Sequence, residues 1–205
     1  MPVITSIKPQ KNKKRVNIYL DGEFGFGVDL ENFVKLSLKV EQQLTEIEIE
    51  EIKNKAKFQK NYNRLLNFVL RRPRSEKEVE DWFYKKKTPE DMQKALKQKL
   101  FKHKLLDDTA FAEWWVGQRQ SFRPKSKRVL RGELIMKGID KDTIEKIIGK
   151  TKVDEIDIAG NEIEKRLYKW KSLDKFTKKR KISEFLARKG FGWEVIKKAI
   201  EKFLD

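Results

Sequence analysis

The sequence predicts a mainly α fold: tandem three-helix modules in an elongated curved array, with a small N-terminal antiparallel β-hairpin or sheet region. Apolar residues recur in three sets, Val79/Trp82/Phe83, Leu130/Leu134 and Ile182/Phe185/Leu186, with Leu130 51 residues after Val79 and Ile182 52 after Leu130. Spacing of i, i+3, i+4 puts each set on one helix face. A break follows each set, at Lys86-Lys87, Lys137-Gly138 and Lys189-Gly190. Another apolar set then begins: Met92/Ala95/Leu96, Ile144/Ile147/Ile148 and Ile196/Ala199/Ile200. A repeat of roughly 50 residues marks helical units that bury their stripes only by stacking on neighbours. Arrays of this kind present an extended surface to a large partner.

The first 30 residues read as strands. Val3 to Ile7 is a short β-prone run, followed by the basic stretch Lys8 to Lys14. Residues 15–20 and 23–28 flank Asp21-Gly22, and Asp-Gly between two alternating runs is a strong hairpin signal. A two-residue turn sets Leu20 opposite Glu23 and Ile18 opposite Gly25. Val16, Ile18 and Leu20 then share a face with two glycines, and Tyr19, Phe24 and Phe26 share the other.

Helix begins near Thr45, where Thr45 and Glu48 form a T-x-x-E capping box, and Ile49, Ile52 and Ala56 carry the stripe. The first helix of each module is marked by Tyr62/Leu65/Leu66/Val69, by Phe111/Trp114/Trp115, and by Ile163/Leu167/Trp170. Ser75 with Glu78 reads as a second capping box, and Asp107 as the N-cap of a helix entering at Thr109. The expected segments are 1–58 for the β-hairpin region plus helix, then modules over 59–103, 104–152 and 153–205. No Pro/Gly-rich linker separates them.

Composition narrows the function. Of 205 residues 40% are charged, and the formal net charge of +17 favours polyanionic partners, nucleic acid first. With no cysteine and a single histidine, His103, thiolate and His-rich metal sites are excluded. No G-x-x-x-x-G-K phosphate loop is present, and capping explains Asp107 in the Asp107-Asp108 pair. The sequence therefore reads as a binding protein rather than an enzyme, with no cofactor. No apolar run is long enough for a membrane span or signal core, so a cytoplasmic monomer without membrane contact is expected.

Basic clusters recur in register. Arg71, Arg72 and Arg74 precede the middle helix of module one, and Arg119, Arg123, Lys125, Lys127 and Arg128 that of module two. Lys175, Lys178, Lys179, Arg180 and Lys181 do so in module three. Cations at a helix start oppose the macrodipole. Their repetition there predicts anion sites, in which free backbone N–H groups and side chains converge on phosphates. Trp82, Trp114, Trp115, Trp170 and Trp193 fall at helical spacing and are assigned to the core. Tyr19, Phe24 and Phe26 are the better candidates for an exposed aromatic surface. Gly138 and Gly190 need only end their helices.

Four stretches, RRPRSEKEVEDWF (71–83), LLDDTAFAEWWVGQR (105–119), LRGELIMKGIDKDTIEKII (130–148) and ISEFLARKGFGWEVIKKAIE (182–201), resemble in order and spacing the RecX family of regulatory proteins. VNIYLDGEFGFGV (16–28) is similar to the N-terminal extension of its longer members. The resemblance implies three three-helix modules lying along the groove of the filament that the RecA recombinase forms on single-stranded DNA. It implies hindered filament growth, lower ATP turnover and less strand exchange, within recombination, DNA repair and the SOS response. In place of the small glycine-containing turn common before the middle helix of module two, this chain has Arg123-Pro124-Lys125-Ser126. Two other readings stay open: a helical protein acting directly on duplex or single-stranded DNA, and a scaffold that binds only protein.

Overall fold

The structure, a computed structural model, describes residues 1–11, 13–151 and 153–204. The chain forms two compact units, one of residues 1–72 with 88–102, the other of 73–87 with 103–205. The mainly α fold of tandem three-helix modules with a small antiparallel sheet is as the sequence predicts. Among the described residues, no helix is long and apolar enough to cross a membrane.

In the first unit, β1 (Ile4–Pro9), β2 (Arg15–Leu20) and β3 (Glu23–Asp29) form an antiparallel sheet in that order. Asp21 and Gly22 both take positive φ, 49° and 89°, as a type I′ turn requires. Leu20 does oppose Glu23, but Ile18 pairs with Phe26 rather than Gly25, because the register shifts between Ile18 and Tyr19. Gly25 is the extra residue of the bulge. A Cβ there would lie 2.8 Å from the Leu20 side chain, so glycine lets Leu20 close over the strand. The shift turns Phe26 inward, and it joins Ile4, Val16, Ile18 and Val28 in one core with Ile49, Ile52 and Ala56. Phe26 is thus not part of an exposed aromatic surface.

A short helix that the sequence pattern does not announce, α1 (Leu30–Lys35), is capped by Asp29, whose carboxylate accepts from the Asn32 N–H. Helix α2 (Glu46–Val69) starts at the expected Thr45/Glu48 capping box and runs unbroken through 58–59, the expected segment boundary. Helix α4 (Glu90–Lys102) buries Leu96 and Leu100, while Ala95 of its expected stripe is exposed. The Lys99 ammonium lies 3.8 Å from the Tyr62 ring centroid, joining α4 to α2.

The second unit contains α3 (Glu76–Lys86), which leaves the residues expected as its module, together with two complete modules. One is α5 (Asp108–Phe122), α6 (Lys127–Met136) and α7 (Lys141–Lys150), around Phe111, Val116, Leu130, Leu134, Ile144 and Ile148. The other is α8 (Glu155–Glu164), a 3-10 turn (Leu167–Trp170), α9 (Lys175–Arg188) and α10 (Trp193–Leu204), around Ile163, Ile182, Leu186, Ile196 and Ile200. The expected boundary between them falls on Lys152, outside the described residues. Trp82 is buried and Trp114, Trp115 and Trp170 are half-buried against the cores, but Trp193 is 67% exposed at the start of α10. Helical spacing overstates burial at a helix end, where neighbours run out. Gly138 and Gly190 end α6 and α9 at φ 82° and 84°, and Lys87 fills the same left-handed role after α3.

Candidate nucleic-acid interface

The N-termini of the middle helices α3, α6 and α9 are the corners where cations gather. Ser75 caps α3 by accepting from the Glu78 N–H, and Ser126 caps α6 by accepting from the Val129 N–H. Both serines are fully buried. A further N–H at each corner is taken by a carboxylate from the first helix of the following module. The Glu76 N–H donates to Asp108 Oδ1 at 2.7 Å, and the Lys127 N–H to Glu155 Oε1 at 2.9 Å. At α9 the cap is local: Asp174 accepts from both the Phe176 and Thr177 N–H groups. Of the backbone N–H groups expected to be free for phosphate, two at each corner are instead held by the chain's own serines and acids.

The same corners carry the joints between repeats. A Cβ on Gly138 would sit 2.7 Å from Lys77 Cβ, and one on Gly190 2.8 Å from Val129 Cγ2. The helix end of each repeat thus lies on the helix start of the one before. Lys137 Nζ reaches Glu78 at 2.5 Å, and the Ser126 hydroxyl donates to the Lys189 carbonyl at 3.2 Å.

The thirteen expected cations divide by environment. Arg74 pairs with Glu78 at 3.8 Å, with both side chains mostly buried, so it belongs to the joint. Arg119 donates to Glu133 at 2.7 Å and lies 4.5 Å from the Trp115 ring centroid, while Trp115 Nε1 also donates to Glu133. Arg180 and Lys181 both face Glu184 at 3.9 Å. Arg123 is exposed and Lys125 half-buried on the turn from α5 into α6, while Lys127, half-buried, and Arg128, exposed, are the first residues of α6 itself rather than preceding it as expected. Arg71 is exposed and Arg72 half-buried beyond α2. Lys175, Lys178 and Lys179 share one side of α9 by i, i+3, i+4 spacing. This cluster lies within the first two turns of α9, not before it as the sequence pattern suggests.

The residues missed from sequence are Asp108 and Glu155. Asp107 caps α5 as expected, accepting from the Thr109 and Ala110 N–H groups, but Asp108 is the residue that reaches another module. Burial raises the Asp108 carboxyl above its ordinary value; the Glu76 N–H opposes this, and the nearby Glu76, Asp107 and Asp140 charges add to it. One signal was available: an acid opens the first helix of both modules, 33 residues after Ser75 and 29 after Ser126.

Comparison with known proteins bears on these modules. Residues 2–45 match the family described as the regulatory protein RecX N-terminal domain, 107–147 the second three-helix domain of RecX, and 154–200 the third. The chain is 38% identical to a regulatory protein RecX of Bacillus velezensis, over 98% of this chain and 78% of that one. It is 37% identical to the RecX of Bacillus subtilis, over 98% and 77%. A crystal structure of a regulatory protein RecX superposes with TM-score 0.73 at 26% identity, covering 96% of this chain and 98% of that one. The RecX structure from Lactobacillus salivarius gives 0.64 at 28% identity, covering 71% and 96%.

Proposed function

Since the chain belongs to the RecX family of regulatory proteins, we propose that it regulates the RecA recombinase by lying in the groove of the RecA–single-stranded DNA filament. Bound there, it inhibits filament growth, ATP hydrolysis and strand exchange, and so tempers recombination, repair and the SOS response. It does so without chemistry of its own, as a cytoplasmic monomer needing no cofactor. The observation that carries the reading is the recurrence of cations at equivalent corners of two modules, Arg123/Lys125/Lys127/Arg128 and Lys175/Lys178/Lys179.

With two backbone N–H groups at each corner engaged within the chain, these corners offer chiefly ammonium and guanidinium groups. Such groups suit a repeating phosphate backbone and acidic filament surfaces. Several weak contacts in fixed geometry then add as avidity. Arg74 and Arg119 hold carboxylates of the fold, whereas Arg180 and Lys181 meet Glu184 only at 3.9 Å on the exposed side of α9 and stay with the third-module cluster. The test is binding to preassembled RecA filaments compared with bare duplex. Tighter binding to filaments supports the reading; a preferred duplex sequence bound equally well without RecA would replace it with direct DNA recognition.

A further inference from the structure

The outer face of the N-terminal sheet has no role in the reading above. Ser6, Tyr19 and Phe24 form one cross-strand row on this face, and Lys8, Asn17 and Gly27 the next. The Tyr19 and Phe24 rings meet edge to face, with centroids 6.0 Å apart, and Phe24 is 60% exposed. The Lys8 ammonium lies 4.9 Å from the Tyr19 ring centroid. Lys11 and Lys13 are exposed on the loop leading into β2. The first twenty residues carry five cations, Lys8, Lys11, Lys13, Lys14 and Arg15, and no acid. The first acid, Asp21, is engaged with the Val3 N–H.

We propose that this face is a stacking platform for single-stranded nucleic acid, with bases on Phe24 and Tyr19 and phosphates against Lys8, Lys11 and Lys13. Aromatic faces beside cations bind unpaired bases with little sequence preference, because every base has a π-face. A duplex hides those faces in its own stack and offers only groove edges. A protein partner fits less well: around the two rings the rows hold Ser6, Lys8, Asn17 and glycine, so there is little apolar area to cover. The register shift at Gly25 creates the platform, since it sends Phe26 into the core and leaves Phe24 beside Tyr19. The Lys8 ammonium moves from the Tyr19 ring to a phosphate as a base arrives. This inference does not rest on the recombinase reading, because the contact requires nucleic acid alone.

The experiment uses the full chain and DNA without recombinase. Phe24→Leu keeps an apolar side chain at an exposed position, so folding is preserved, but removes the π-face. It weakens binding to an oligothymidine roughly tenfold and leaves binding to an abasic oligonucleotide of equal length unchanged. Lys8→Gln, Lys11→Gln and Lys13→Gln together flatten the salt dependence for both ligands. Photocrosslinks from 5-iododeoxyuridine fall on β2 and β3. Wild-type affinity of Phe24→Leu for oligothymidine, or crosslinks only outside the sheet, overturns the platform. So does a variant that binds DNA normally yet no longer inhibits a recombinase, which would make the face a protein contact.

Discussion

The Asp108 carboxylate at the first turn of α5 accepts a 2.7 Å hydrogen bond from the Glu76 backbone N–H at the first turn of α3. One module's acid thereby completes the cap of another module's helix. The Glu155 carboxylate repeats the arrangement on Lys127 at 2.9 Å.

Asp108 gives a pH-dependent prediction. Burial raises its folded-state pKa above the ordinary 3.8, so the folded chain holds this proton more tightly than the unfolded chain. Stability from this group is greatest at acid pH, falls as pH rises from 3.8 through the folded value, and stays lowered beyond it. Asp108→Asn keeps an oxygen for the Glu76 N–H and removes the charge. It melts above the parent at pH 7 and converges with it near pH 3. Asp108→Ala loses the acceptor and is less stable at both pH values, by about 1–2 kcal/mol. Thermal melts across that range check both.

The buried joint at Glu78 is cooperative. Glu78 accepts from Lys137 at 2.5 Å and pairs with Arg74 at 3.8 Å. Glu78→Ala removes the carboxylate that Lys137 and Arg74 share and destabilises by about 3 kcal/mol. Lys137→Ala is damaging too, and urea denaturation of the double variant shows a coupling above roughly 0.5 kcal/mol.

Glycines separate joint from surface. Gly138→Ala and Gly190→Ala combine a left-handed backbone, φ 82° and 84°, with a Cβ driven against Lys77 or Val129. Each destabilises by at least about 1 kcal/mol. Gly117, inside α5 with nothing within 4 Å of its would-be Cβ, behaves oppositely. Gly117→Ala stabilises by about 1 kcal/mol in the same denaturation assay.

Charge removal distinguishes binding from folding. Replacing Lys178, Lys179, Arg180 and Lys181 together by Gln weakens filament binding and flattens its salt dependence, by a slope of about 0.7 per lost single-strand phosphate contact. Arg119→Gln instead lowers the melting temperature, because its guanidinium joins Glu133 and Trp115. Unchanged filament affinity for the quadruple variant in moderate salt would remove that cluster from the interface.

The helical repeat was legible because stripes such as Ile144/Ile147/Ile148 follow local periodicity, and burial then selects one face. Contacts between distant residues were not legible. Gly25 looks like any strand glycine until Leu20 is seen closing over it. The run from Lys175 to Lys181 looks like a solvated turn, yet Asp174 caps it into helix. Asp108 looks redundant beside Asp107 until α3 is placed against it. Of the candidate site, residue types and their recurrence could be read from the chain. Which cations hold internal carboxylates depends on how modules meet, and no local pattern encodes that.

ATP hydrolysis by RecA on single-stranded DNA, followed while this protein is added, is the decisive assay. Inhibition at amounts well below one molecule per recombinase subunit is the predicted result. An undiminished rate at saturating amounts of folded protein would contradict regulation of the filament.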